Sequence, residues 1–282
     1  MRRFRYVVAD VFTDTPLQGN QLAVFTDARG LDSATMQALA KEMNFSETVF
    51  VLPPQAEGAD VRIRIFTPGK ELPFAGHPVL GTAFVLGAPL QKIVLRIELP
   101  AGLVPVELER DGGKIVFGWM EQPLPRWRTF VRTEELFAAL GVAGSGLPVE
   151  EYDLGPSHLY VELDSPADVA AVRPDFAALA RVTTAGANCF ARDGDGWTTR
   201  AFFTDIGVAE DAATGSAAGP LALHLARHGR IAFGETIVIS QGASLGRPSR
   251  LYAEVHGSLD RIERVRVGGS AVLVARGEFS LP

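Results

Sequence analysis

The chain has 282 residues, 47% of them apolar and 21% charged, with a formal charge of −6. That length holds one large domain or two ordinary ones with a substantial core, and the acidic balance argues against nucleic acid or an acidic membrane surface as partner. A single cysteine, Cys189, excludes an internal disulfide and fits a reducing cytoplasm, and nowhere do about 18 apolar residues run together as a bilayer span requires.

The opening MRRFRYVVADVF is basic but alternates like a strand and has no long apolar core or small-residue cleavage site, so no signal peptide is expected. LAVFT (22–26) reads as a second strand. In 33–44, Met36, Leu39, Ala40 and Met43 fall at i, i+3, i+4 and i+7 behind Asp32 or Ser33, which predicts a capped helix. NFSETVFVLPP (44–54) then sets one carboxylate, Glu47, among apolar and hydroxyl side chains. Taken alone, a glutamate at a strand end is more often structural than catalytic. VRIRIFT, KIVLRIEL, VPVELER and KIVFGWM continue the period-2 pattern up to residue 120. Between them GHPVLGTAFVLG (76–87) predicts a helix with Pro78 in its first turn and Gly87 as its stop.

MEQPLPRWRTFVR (120–132) reads as a join. Beyond it TEELFAALG and SPADVAAV have the acidic starts of short surface helices, and HLYVEL, TRAFFT, TIVIS, RLYAEV and RVRVGGSAVLVA read as strands. Cys189 falls in a further strand, where a buried and inert thiol is the default. TGSAAGPLALHLARHG predicts a second helix capped by Ser216 and ended by Gly229. Both long helices are apolar almost all round, which implies burial on every side.

IFTPGKELPFAGH (65–77) and FFTDIGVAEDAATGS (202–216) share one plan: strand, Phe-Thr, acidic loop, glycine, helix. This diverged repeat predicts an α+β protein of two pseudo-symmetric domains, each a mixed, mostly antiparallel sheet or barrel around a central helix. Two helix N-termini facing one cleft would form an anion site, because both offer free N–H groups and positive dipole ends. His77, Asp211, Ser216, Thr214 and Glu210 cluster at those starts. With Glu47 they supply the carboxylates and imidazole that proton transfer needs, and an acid in an apolar strand has its pKa raised toward neutrality. The structural alternatives are helix capping for His77 and Ser216 and dipole complementation for Glu210 and Asp211. No G-x-S-x-G, P-loop or dinucleotide fingerprint occurs. None of the four lysines, Lys41, Lys70, Lys92 and Lys114, sits in an evident cofactor cup. His224 and His228 have metal-ligand spacing, but their place before Gly229 favours helix capping, so no metal is expected.

DVFTDTPLQGNQLAVF, NFSETVFV, RIFTPGKELPFAGHPVLGTA, GVAEDAATGSAAGPLALHL and QGASLGRPSRL together resemble the signature blocks of the PhzF-like family over nearly the whole chain. That family is related in fold to diaminopimelate epimerase. The resemblance implies a domain of residues 1–125, completed by a last strand at about 268–282 that crosses back, and a domain of residues 126–267. It implies a cytoplasmic homodimer and an isomerase that uses no cofactor or metal and moves a proton between carbons of a small carboxylate-bearing metabolite. Glu47 matches the acid–base residue, with His77 and Asp211 assisting. Ser216, Gly76 and Gly215 match substrate-binding positions, the two glycines through their backbone N–H groups, and Asn20 and Thr214 lie in the matched blocks. Related epimerases place a thiol at each central helix start, where this chain has Ala75–His77 and Gly215–Ser216, so a two-thiol mechanism is not expected. A one-acid epimerase or racemase, and a non-catalytic protein binding a metabolite in the same cleft, are the alternatives.

Overall fold

The computed structural model describes residues 1–281. In the first half, β1 (Arg2–Val11), β2 (Asn20–Phe25), α1 (Ser33–Met43), β3 (Glu47–Leu52), β4 (Val61–Phe66) and β5 (Glu71–Leu72) precede α2 (Gly76–Leu90). β6 (Val94–Leu99), β7 (Gly102–Asp111) and β8 (Lys114–Gln122) follow it. The second half opens with β9 (Arg126–Thr129), α3 (Thr133–Leu140), β10 (Glu150–Asp153), β11 (Ser157–Glu162), α4 (Pro166–Ala171) and α5 (Phe176–Val182). Then come β12 (Gly186–Asp193), β13 (Gly196–Phe202), β14 (Glu210–Asp211), α6 (Gly215–Arg227), β15 (Thr236–Gln241), β16 (Ser249–Gly257), β17 (Ile262–Gly269) and β18 (Ala271–Leu281).

The repeat seen in sequence is a repeat of strand pairing. β1–β2 is antiparallel, β2–β3 parallel, β3–β4 antiparallel and β4–β6 parallel. The second half runs β10–β11 antiparallel, β11–β12 parallel, β12–β13 antiparallel and β13–β15 parallel. β8 and β17 pair with each other and join the halves, while β18 returns to pair with β1 from Arg2↔Leu281 to Val11↔Ala271. The fold is α+β and pseudo-symmetric, with α2 and α6 as its two central helices.

Packing explains where the elements stop. In α2 every residue from Gly76 to Gly87 is buried, and in α6 every residue from Gly215 to Ala226. Gly87 does not end α2, which runs on to Leu90 and stops at Gln91 in the left-handed region. A Cβ at Gly87 would lie 2.4 Å from Leu108 Cδ1, so this glycine admits a neighbouring strand. The end of α6 is as expected, with Gly229 at φ +68° just past the cap. Helix α1 is capped by Asp32, which accepts from Thr35 N, and lays Met36, Leu39 and Ala40 over Phe25, Phe50 and Phe66. RVRVGGSAVLVA breaks at Ser270 into β17 and β18. Helix α5 has no counterpart in the sequence reading, because its seven residues are too few to show a period. Among the described residues no helix is long and apolar enough to cross a membrane.

Candidate active site

Two helix starts meet in the middle of the molecule because both begin with glycine. A Cβ at Gly76 would lie 2.4 Å from the Gly215 carbonyl carbon and 2.5 Å from Ser216 N. A Cβ at Gly215 would lie 3.0 Å from His77 N and 2.9 Å from the Phe12 ring. Side chains at either position would separate the helices. Their first-turn amides, which have no intrahelical acceptor, therefore point into one region of positive potential. The first turns are fixed from outside as well. Gln122 on β8 donates to the Gly215 carbonyl at 2.8 Å, and Tyr160 donates to the Ala217 carbonyl at 2.7 Å.

Around these starts lies a network drawn from both halves. Asp211 Oδ1 accepts from Asn20 Nδ2 at 2.7 Å and from Ser46 Oγ at 3.1 Å, and its Oδ2 accepts from Thr214 Oγ1 at 2.8 Å. Gln241 locks the turn before α6: its Nε2 donates to the Asp211 carbonyl and to Thr214 Oγ1, and its Oε1 accepts from Thr214 N. Asn20 also donates to the Ala213 carbonyl at 3.0 Å and lies 3.2 Å from His77 Nδ1. Asn20 itself is placed by Arg247, whose guanidinium reaches Asp10 Oδ1 at 2.6 Å and the Gln18 and Gly19 carbonyls at 2.8 and 2.7 Å. The Gly-Asn turn and the Gly-Arg-Pro-Ser segment are thus two sides of one clamp.

Glu47 starts β3 and is buried, as are Thr48 to Val51 behind it. Its Oε2 lies 3.4 Å from His77 Nε2 without hydrogen-bond geometry, and neither atom has another partner among the described residues. Burial raises the Glu47 pKa well above the carboxylate range, and the nearby Asp211 charge raises it further. Asp211 is raised too, by burial, against the lowering effect of its bonds from Thr214, Asn20 and Ser46. Burial depresses His77 to about 3, partly opposed by hydrogen bonding to the Gln21 backbone. The site therefore disfavours the charged form of Glu47 and holds His77 as an uncharged imidazole at neutral pH.

The cavity they face has a volume of about 280 Å³, the size for a single-ring metabolite rather than a nucleotide. Glu47, Gly76, His77, Asp211, Thr214, Gly215 and Ser216 line it, whereas Asn20 lies behind, holding Asp211 and His77. The mouth is crossed by an ion pair between Lys70 and Asp205, which occupy equivalent loops of the repeat. Three sequence readings change. Ser216 is not the helix cap; that position is Thr214, whose hydroxyl is turned to Asp211, and Ser216 Oγ instead meets His158 Nε2 at 3.0 Å. His77 is not a cap either, since Ala75 holds that position without a side-chain bond. Glu210 faces away and makes a two-pronged pair with Arg200. His158, Gln241, Gln122 and Ser46 are participants that the sequence reading missed. Their one signal was a polar residue inside or beside an apolar strand.

His224 and His228 lie about 12 and 18 Å along the axis of α6 from Ser216, at the rise of a regular helix. With Glu150 they bring ligand-type atoms within 4.8 Å of one another. The Arg227 guanidinium and the Tyr152 hydroxyl reach the same Glu150 oxygen, so this cluster already carries its own cation. Together these partners hold Glu150 well below the carboxylate range against the effect of burial. Cys189 is fully buried and its thiol is pushed up to about 12 by burial.

Comparison with known proteins adds four findings. The family model described as phenazine biosynthesis-like protein matches residues 9–277. The trans-2,3-dihydro-3-hydroxyanthranilate isomerase of Pseudomonas aeruginosa is 52% identical over 277 residues, covering 98% of this chain and 99% of the relative. Among solved structures, a PhzF-family phenazine biosynthesis protein of Bacillus anthracis superposes with a TM-score of 0.85 at 26% identity, covering both chains fully. A probable proline racemase from Agrobacterium radiobacter superposes at 0.70 with 12% identity, over 99% of this chain and 93% of that one, a likeness of fold alone.

Proposed function

This chain belongs to the phenazine biosynthesis-like (PhzF) family and is an isomerase, and from that premise we propose that Glu47 is its acid–base group and that its substrate is trans-2,3-dihydro-3-hydroxyanthranilate. The substrate is taken from the 52% identical relative. The observation that carries the residue assignment is the unpartnered, buried Glu47 carboxyl on the cavity wall, raised in pKa and 3.4 Å from a neutral His77.

A resting acid of this kind gives its proton to one carbon of the conjugated ring. The carboxylate left behind then takes a proton from another carbon, so Glu47 ends as it began. Asp211, held by Asn20, Ser46 and Thr214, keeps negative charge near Glu47 and opposes its ionisation. Gly76, Gly215 and Ser216 bind the substrate carboxylate at the joined helix starts, where amides and dipoles favour an anion. With His77 Nδ1 toward the Asn20 amide, the tautomer protonated at Nε2 presents an N–H to the reacting face. In the same reading the chain is a cytoplasmic homodimer, divided into residues 1–125 with the returning last strand and residues 126–267.

Glu47→Gln keeps shape and removes the transferable proton. Turnover of this substrate should fall by at least about 10³-fold while binding of 3-hydroxyanthranilate changes by less than about threefold. Following turnover of the wild type in deuterated water, deuterium should appear at the carbon that receives the proton. A variant with more than a tenth of wild-type activity removes Glu47 from this role. A wild type inert toward this compound removes the substrate assignment.

A further inference from the structure

We propose that the outer edge of β18 is the surface on which a second copy of this chain docks, the two strands pairing antiparallel with their Gly277 residues face to face across a two-fold axis. The inference rests on the homodimer reading above and adds where the two subunits meet.

β18 pairs with β1 along one side, and among the described residues no strand pairs with its other side. None of its eleven residues is fully buried. The repeat supplies a comparison, because β9 stands to β10 as β18 stands to β1 and ends the sheet at the other side. With four residues, β9 gives an incoming strand little to pair with, which is a common way of blunting an edge. β18 is nearly three times as long and carries Val272, Leu273 and Val274, with Leu273 42% exposed. An uncovered edge of that length and composition is a template for another chain.

Its charges decide which chain and which register. Arg276 and Glu278 are exposed on the same face of the sheet, opposite Val7 and Arg5 of β1. Glu278 lies 3.5 Å from Arg3 and 3.7 Å from Arg5, while Arg276 has no ion pair among the described residues. When β18 pairs antiparallel with its own copy about Gly277, each Arg276 stands directly opposite the partner's Glu278. Moving the axis by one residue sets Arg276 against itself or Glu278 against itself, and moving it by two leaves both charges opposite uncharged residues. A parallel arrangement matches only one of the two pairs and does not close. Gly277 also suits the axis. A Cβ there would lie 2.3 Å from Tyr6 Cζ and from its hydroxyl oxygen, so the phenol from β1 lies across this glycine with its polar end toward the free edge. The two-fold brings two such phenols side by side over the joined strands.

Sedimentation velocity over a range of protein concentrations provides the test, and the wild type should sediment as a dimer. Arg276→Glu makes this stretch of the edge wholly acidic and Glu278→Arg makes it wholly basic. Each variant alone therefore sets like charges opposite each other twice, and its dissociation constant should rise by about tenfold or more. Mixed in equal amounts, the two variants should pair with each other within about threefold of the wild-type affinity, because every acid then faces a base. A wild-type dimer that neither reversal weakens, or weakened variants that do not recover on mixing, overturns this interface and leaves the homodimer reading standing. A monomeric wild type overturns both.

Discussion

A glutamate is placed in this fold where ionising it is unfavourable, and that has a consequence separate from catalysis. The ordinary value for Glu47 is 4.5, and its native value is raised well above that. Between the two, the folded protein holds a proton that the unfolded chain has released. Stability must therefore fall as pH rises through that window. Glu47→Gln removes the slope. Urea unfolding at a series of pH values should find the variant level with wild type near pH 4 and increasingly more stable toward pH 8. A variant less stable than wild type at pH 8 would mean that the native fold does not raise the Glu47 pKa. His77 and His158 are both held neutral by burial, so neither adds charge to the site in this range.

Helices α2 and α6 are held apart by the width of two glycines. Gly76→Ala would set a methyl 2.4 Å from the Gly215 backbone, where no side chain can swing away. Denaturation should show a loss of about 1–3 kcal/mol or more, with turnover lost because the anion site opens. Gly81→Ala in the same helix meets side chains and not backbone, Leu22 Cδ2 at 2.6 Å and Val11 Cγ2 at 2.7 Å, and its gain in helix propensity of about 1 kcal/mol offsets part of the crowding. Equal losses in the two variants would contradict this account. The two helices were legible in sequence because unbroken apolar character and small starting residues are local properties. The carboxylate, imidazole and serine near them were legible for the same reason. The mistaken roles of Gly87 and Ser216 depend on what approaches from another element, Leu108 in one case and His158 in the other. His158 and Gln241 went unrecognised because strand periodicity records which face a residue occupies and says nothing of its partner across the cavity. Strand β9, four exposed residues, and helix α5 were too short to carry a period.

Across the whole molecule the halves repeat each other's pairings, and β8–β17 and β18–β1 tie them together. The second tie is the more exposed to damage, because β1 is flanked by β2 on one side and by β18 along its entire length on the other. A chain shortened after Gly269 would leave the β18 side of β1 as an open ten-residue edge. It should be recovered mainly as aggregate, and any soluble fraction should lack a cooperative thermal transition; a soluble, cooperatively melting product would show that the edge tolerates exposure. The same pairing also bears on the order of events at the ribosome. Once β1 has been made, its outer partner emerges only after some 260 more residues have been added. At about 5–20 residues per second, the nascent first half waits at least ten seconds or so with that edge uncovered. Bacterial or eukaryotic, the cell that makes this protein has to shield one strand until the residues between it and its partner have all been made.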